Sequence, residues 1–100
     1  MRRIFTFFLT FLLGVFVTAL YAQTHTVSGT VIDKDANEPL IGANVLIKGT
    51  TIGTVTDLDG KYTLQAGDKD ILVFSYLSMK TIEEPVNGRT VINVKMTSDT

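Results

Sequence analysis

The 100-residue sequence contains no cysteine. Disulfides, cysteine-ligated metal, cysteine nucleophiles and a lipid-modified cysteine at a processing site are all excluded by that absence. Histidine occurs once, at His25, so a catalytic triad or a zinc site would have to find every other partner elsewhere. Positive charge is sparse too, with nine Lys and Arg against ten Asp and Glu, and two of the nine sit at Arg2 and Arg3. Nucleic acid is therefore a poor partner, because phosphate binding calls for clustered positive charge. After Gln23 no stretch carries apolar residues at helical spacing over ten or more positions.

What is present begins with a short basic start. Arg2 and Arg3 precede Ile4 to Leu20, an apolar run of 17 residues without a charge, and Ala22 stands just before the character of the sequence changes. Basic, apolar and small residues in that order make a secretory signal peptide over residues 1–22, cut after Ala22 or, alternatively, after Ala19. A membrane anchor is the competing reading, since a bilayer-spanning helix needs about 17–25 apolar residues. The small-residue exit leading directly into strand-like sequence favours cleavage. The positive mean hydropathy of the whole chain comes largely from this segment.

The remaining domain, residues 23–100, has 78 residues and a formal charge of −3 (seven Lys and Arg, ten Asp and Glu). A chain of that size buries only about 60% of its unfolded surface. Without disulfides it must stand on its apolar core, or on packing against something larger. Period-two alternation with turn residues between the runs predicts strands over 26–33, 43–48, 54–57, 61–65, 71–76, 80–86 and 90–96. Val27, Gly29 and Val31 share one face of the first. Ile71 to Tyr76 is apolar on both faces and reads as a central strand covered on both sides. Pro85 marks 80–86 as an edge strand. Asp59-Gly60 and Asn87-Gly88 are the preferred pairs for two-residue hairpins, whose central positions both need positive φ. Seven strands without a helix must cover one sheet with another, so the fold class is an all-β sandwich, preceded by the signal-peptide helix.

A search for chemistry identifies no catalytic, cofactor-binding or metal-binding residues. His25 falls three residues past the cleavage point, where chain ends are mobile, and reads as an exposed terminal residue. Asp57-Leu58-Asp59-Gly60 lacks the first and last ligands of a calcium loop, which fall on Val55 and Ala66. Asp33 and Asp35 read as polar loop residues. Gly60-Lys61 is not a phosphate loop, and no serine sits in a nucleophile elbow. Tyr62, Phe74 and Tyr76 alternate in phase with aliphatic residues, which favours core packing over a sugar-stacking platform. No enzyme activity and no cofactor are expected.

The wording of the sequence carries more. Val27-Ser-Gly-Thr-Val-Ile-Asp33, the run from Glu38 through Lys48-Gly-Thr-Thr-Ile-Gly53 and Thr56-Asp-Leu-Asp-Gly-Lys-Tyr62 to Leu64, and Ile71-Leu-Val-Phe-Ser-Tyr76 resemble one family. It is the carboxypeptidase-regulatory-like domain that opens SusC/RagA-type TonB-dependent outer-membrane transporters of Bacteroidetes-like bacteria. The resemblance covers residues 26–96 and implies a seven-stranded, transthyretin-like sandwich. One departure is Leu77-Ser78-Met79, where the family pattern carries an aliphatic residue, a glycine and an aromatic; it bears on the tight turn at Ser78 and leaves the fold intact.

The resemblance further implies a periplasmic accessory domain, held at the outer membrane through a plug and barrel that these 100 residues do not include. Such transporters take up glycans or peptides. The chain is expected to be the front part of such a transporter; the alternative is a free-standing periplasmic module that docks a protein or binds carbohydrate. Phe74, placed at the centre of the core, gives the first prediction. Phe74→Ala is expected to lower unfolding stability by about 3–5 kcal/mol, enough to abolish cooperative melting of a small domain; circular-dichroism melts of the two proteins check it.

Overall fold

A computed structural model describes residues 24–99. The signal segment expected over residues 1–22 lies outside the described residues. The described chain forms eight strands: β1 (Thr24–Asp33), β2 (Glu38–Pro39), β3 (Asn44–Ile47), β4 (Gly53–Val55), β5 (Lys61–Gly67), β6 (Ile71–Ser75), β7 (Ile82–Pro85) and β8 (Val94–Met96). They make two sheets, and the expected all-β sandwich is what the chain builds. In the first, β1 pairs antiparallel with β2 and β5 and parallel with β8. The second runs β4-β3-β6-β7, antiparallel throughout.

Alternation decides which side chains meet between the sheets. Val27, Val31, Tyr62, Leu64, Ala66, Val94 and Met96 come from the first sheet, and Val45, Ile47, Leu72 and Phe74 from the second; all are buried. Phe74 lies opposite Val45 and is fully enclosed. Its ring meets Tyr62 of the other sheet edge-on, with centroids 5.5 Å apart and planes at 72°. An edge-to-face pair is worth about 0.5–1.5 kcal/mol beyond the area it buries.

Tyr62 also organises the last strand. Ser28 N donates to Thr90 O and Ile92 N donates to Ser28 O, the start of a regular parallel ladder. The next rung would bring Thr30 N to Ile92 O. Instead the Tyr62 hydroxyl donates to Ile92 O at 2.7 Å, and the Asn93 side-chain oxygen accepts from Thr30 N at 2.9 Å. The strand expected over 90–96 is therefore interrupted, with a single bridge at Val91 and β8 starting only at Val94. Gly29 makes this possible, because a Cβ there would stand 1.9 Å from Ile92 O.

Other boundaries shift for similar reasons. β2 arises from Glu38–Pro39, outside the seven expected strands, and pairs with Asp33 and Ile32. β6 is central, as expected, but one face only is buried: Leu72 and Phe74 are enclosed while Ile71 and Val73 are half-buried. β7 ends on Pro85 and pairs with β6 alone, as befits an edge. Neither expected hairpin forms, because β4 and β7 lie in the second sheet and β5 and β8 in the first, so each turn carries the chain across the sandwich. Asn87 and Gly88 do both take positive φ. At Asp59-Gly60 only Gly60 does, because the turn is a longer one closed by Asp57: Gly60 N donates to Asp57 O, and Asp57 Oδ1 accepts from Asp59 N and Lys61 N.

Burial pushes the Tyr62 phenol from 10.0 up to about 12, with Arg89 pulling it down and Glu84 raising it further. An acid that holds its proton more tightly when folded contributes stability that is whole below its unfolded pKa near 10. That stability is lost as pH rises through the folded value near 12. A shift of that size corresponds to roughly 2–3 kcal/mol. Tyr62→Phe is expected to cost about 1–2 kcal/mol near neutrality, through the lost bond and the stranded Ile92 carbonyl. It should also flatten the alkaline decline relative to wild type. Urea midpoints of both proteins at about pH 8 and about pH 11 check the two effects together.

Candidate docking surface

Two of the carboxylates singled out by the sequence serve local structure. Asp57 caps its own turn, and Asp33 Oδ1 accepts from Asp35 N at 2.9 Å and Ala36 N at 3.2 Å. Among the described residues no three His, Cys, Asp or Glu side chains are grouped so as to hold a metal ion. Tyr62 and Phe74 are core residues and Tyr76 packs against that core, so the three rings form no exposed platform.

His25 differs from its reading as a free terminal residue. It lies inside β1 opposite Ala66, its side chain only 28% exposed. Nε2 is 3.0 Å from Arg89 O, and Nδ1 is 3.3 Å from Asp68 Oδ1. β1 extends two residues further toward the N-terminus than the alternation predicts, and this extension draws the ring against two loops. His25 thus ties β1 to the turns at residues 67–70 and 86–89.

The open surface lies elsewhere, on the outer face of the second sheet. The register sets Leu46 between Val73 and Gly53, and Asn44 between Ser75 and Val55. Together they shape a groove of about 580 Å³ floored by Leu46, Val55 and Val73, with Asn44, Thr51 and Ser75 at its margins. No charged or aromatic side chain lines it. A Lys48–Glu83 ion pair at 2.9 Å crosses the same sheet. Both partners are about half exposed, so the pair adds little stability. The alternation of Leu46 with Val45 and of Val73 with Phe74 was the available signal for this face.

Residues 27–100, nearly the whole sandwich, match the family model of the CarboxypepD_reg-like domain. The chain belongs to that family. The CarboxypepD_reg-like domain here is 44% identical over 88 residues to the TonB-dependent receptor SusC of Bacteroides thetaiotaomicron, covering 87% of this chain and 8% of that protein. It is 44% identical over 82 residues to the TonB-dependent receptor P26 of Formosa agariphila, covering 82% of this chain and 8% of that one. The TonB-dependent receptor P3 of the same organism is 39% identical over 89 residues, 88% of this chain and 9% of its own length. The chain thus spans less than a tenth of the length of these relatives.

The family pattern explains one local feature of the domain. Ser78, at the position where that pattern carries glycine, adopts φ +66°. The turn is closed by Met79 N donating to Tyr76 O at 3.1 Å. A left-handed conformation costs an ordinary residue about 1–2 kcal/mol, of which glycine's greater freedom in the unfolded chain offsets part. Ser78→Gly is therefore expected to raise stability by about 0.5–1 kcal/mol, and Ser78→Ala to give no such gain; thermal melts of the three proteins check this.

Proposed function

We propose that this chain is the exported, N-terminal accessory domain of a TonB-dependent outer-membrane transporter for glycan or peptide nutrients. In this reading residues 1–22 are a secretory signal removed after Ala22, and the sandwich resides in the periplasm. The plug and barrel of the same receptor hold it at the outer membrane. The observation that carries the proposal is the 44% identity to SusC over 87% of the chain. Similar TonB-dependent receptors recur in a second organism.

The domain's own part is docking rather than catalysis. In support, His25, Asp33 and Asp57 are engaged in loop and turn contacts, and Tyr62 spends its hydroxyl on Ile92 O. A second reading, a free-standing periplasmic module, is favoured by the outer groove, whose volume falls in the range of small-ligand sites. Its aliphatic floor suits an apolar partner better than a sugar ring, which stacks on aromatic faces.

Antibody against the sandwich, applied to membrane and periplasmic fractions of the source cells, separates these readings. The transporter reading expects the signal in the outer-membrane fraction, on a polypeptide more than ten times the matched length, since 88 residues are 8% of SusC. Its N-terminal residue should be Gln23. A soluble periplasmic species no larger than this chain would replace that reading with the second.

A further inference from the structure

The two poles of the sandwich differ in chemistry. At the pole where β1 begins, the turns read Asp68-Lys69-Asp70, Asn87-Gly88-Arg89 and Gly49-Thr50-Thr51, polar apart from the adjoining Ile52. At the opposite pole three turns expose a large aliphatic side chain each, Ile41 at 53%, Leu58 at 77% and Leu77 at 87%, with charged Lys34, Asp35, Asp59 and Lys80 around them. Single exposed aliphatics are ordinary on protein surfaces. These three are not scattered. Asn44 pairs with Val55 on one side and Ser75 on the other, so the turn before β3 and the turns after β4 and β6 stand in a row. With strands about 4.8 Å apart, the row is on the order of 10 Å long at its base.

Each of the three is presented on a fastened backbone. The Thr56 hydroxyl donates to Leu40 O at 2.5 Å and accepts from Ala43 N at 2.9 Å, gripping the chain on both sides of Ile41. Asp57 closes the turn that carries Leu58. Tyr76 and Met79 pack against the core on either side of Leu77. Turns already held in place lose little freedom on binding, which favours association.

The end of the described chain lies at this pole as well. Lys80 N donates to Thr97 O at 2.9 Å, Met79 bridges Ser98, and Asp99 N donates to Ser78 O at 3.0 Å, directly beside Leu77. The relatives are more than ten times longer than the segment they share with this chain. We infer that the Ile41–Leu58–Leu77 pole is the surface by which the domain docks onto an apolar patch of the receptor body. This rests on the transporter reading above and assigns the contact to the pole rather than to the outer groove.

Photo-crosslinking in the source cells tests the assignment. Leu77→benzoylphenylalanine and, separately, Leu46→benzoylphenylalanine are introduced into the full chain; both side chains are exposed, so the core is untouched. Adducts are then mapped by mass spectrometry. The inference expects position 77 to crosslink to plug or barrel peptides of a TonB-dependent receptor, and position 46 to lose that adduct. Receptor adducts from 46 alone, or equally from both, would overturn the pole assignment and leave the transporter reading standing. Adducts from 77 only to a second copy or to an unrelated protein, or none from either position, would also overturn it. In those cases the fractionation experiment decides separately whether the transporter reading fails as well.

Discussion

The Tyr62 side chain holds the two sheets and the last strand in one arrangement. Its ring meets Phe74 across the sandwich, and its hydroxyl takes the Ile92 carbonyl out of the ladder that β1 and the closing segment would otherwise form. A buried hydroxyl left unpaired would cost about 1–3 kcal/mol, and so would a buried carbonyl. Each therefore satisfies the other. Gly29 is needed because the carbonyl occupies the space of its absent Cβ, and Asn93 is needed because Thr30 N has lost its backbone acceptor. Five residues from three segments thus form one interdependent contact.

That contact bears on function through rigidity. A small β-sandwich without disulfides has little stability to spare. Here the core is closed by fully buried Phe74, Leu72 and Met96, and the turns are fastened by Thr56, Asp57 and His25. Asp33, Asp57, His25 and Tyr62 all spend their polar atoms on such contacts. The apolar side chains left to solvent include the floor of the outer groove and three turn residues at one pole, set among charged neighbours. A small, stiff body with apolar surface outside its core suits an accessory module of a larger receptor. It also fits the membership of the chain in the CarboxypepD_reg-like family.

Where the sequence alone was read correctly, the signal was local. Alternation in Lys61 to Ala66 and in Asn44 to Ile47 reports directly which side chains face inward, because a strand repeats every two residues. Pro85 announces an edge for an equally local reason, its missing donor, and Asn87-Gly88 announces positive φ, although the hairpin expected there does not form because β7 and β8 sit in different sheets. Where it was misread, the cause was distant. His25 follows a cleavage site in sequence, yet its ring is settled by Asp68 and by Arg89, 64 residues away. Glu38–Pro39 becomes a strand only because β1 presents Ile32 and Asp33 to it.

The sequence by itself determined the fold class, the inward faces of the strands, the family and the exclusion of cysteine chemistry, since each follows from residue type, spacing or wording along the chain. Tertiary structure alone decided the interruption at Ile92, the parallel seat of β8 beside β1 and the gathering of Ile41, Leu58 and Leu77 at one pole. Those outcomes depend on which segments become neighbours. The Tyr62 hydroxyl and its acceptor are 30 residues apart, and no local periodicity encodes a meeting over that distance.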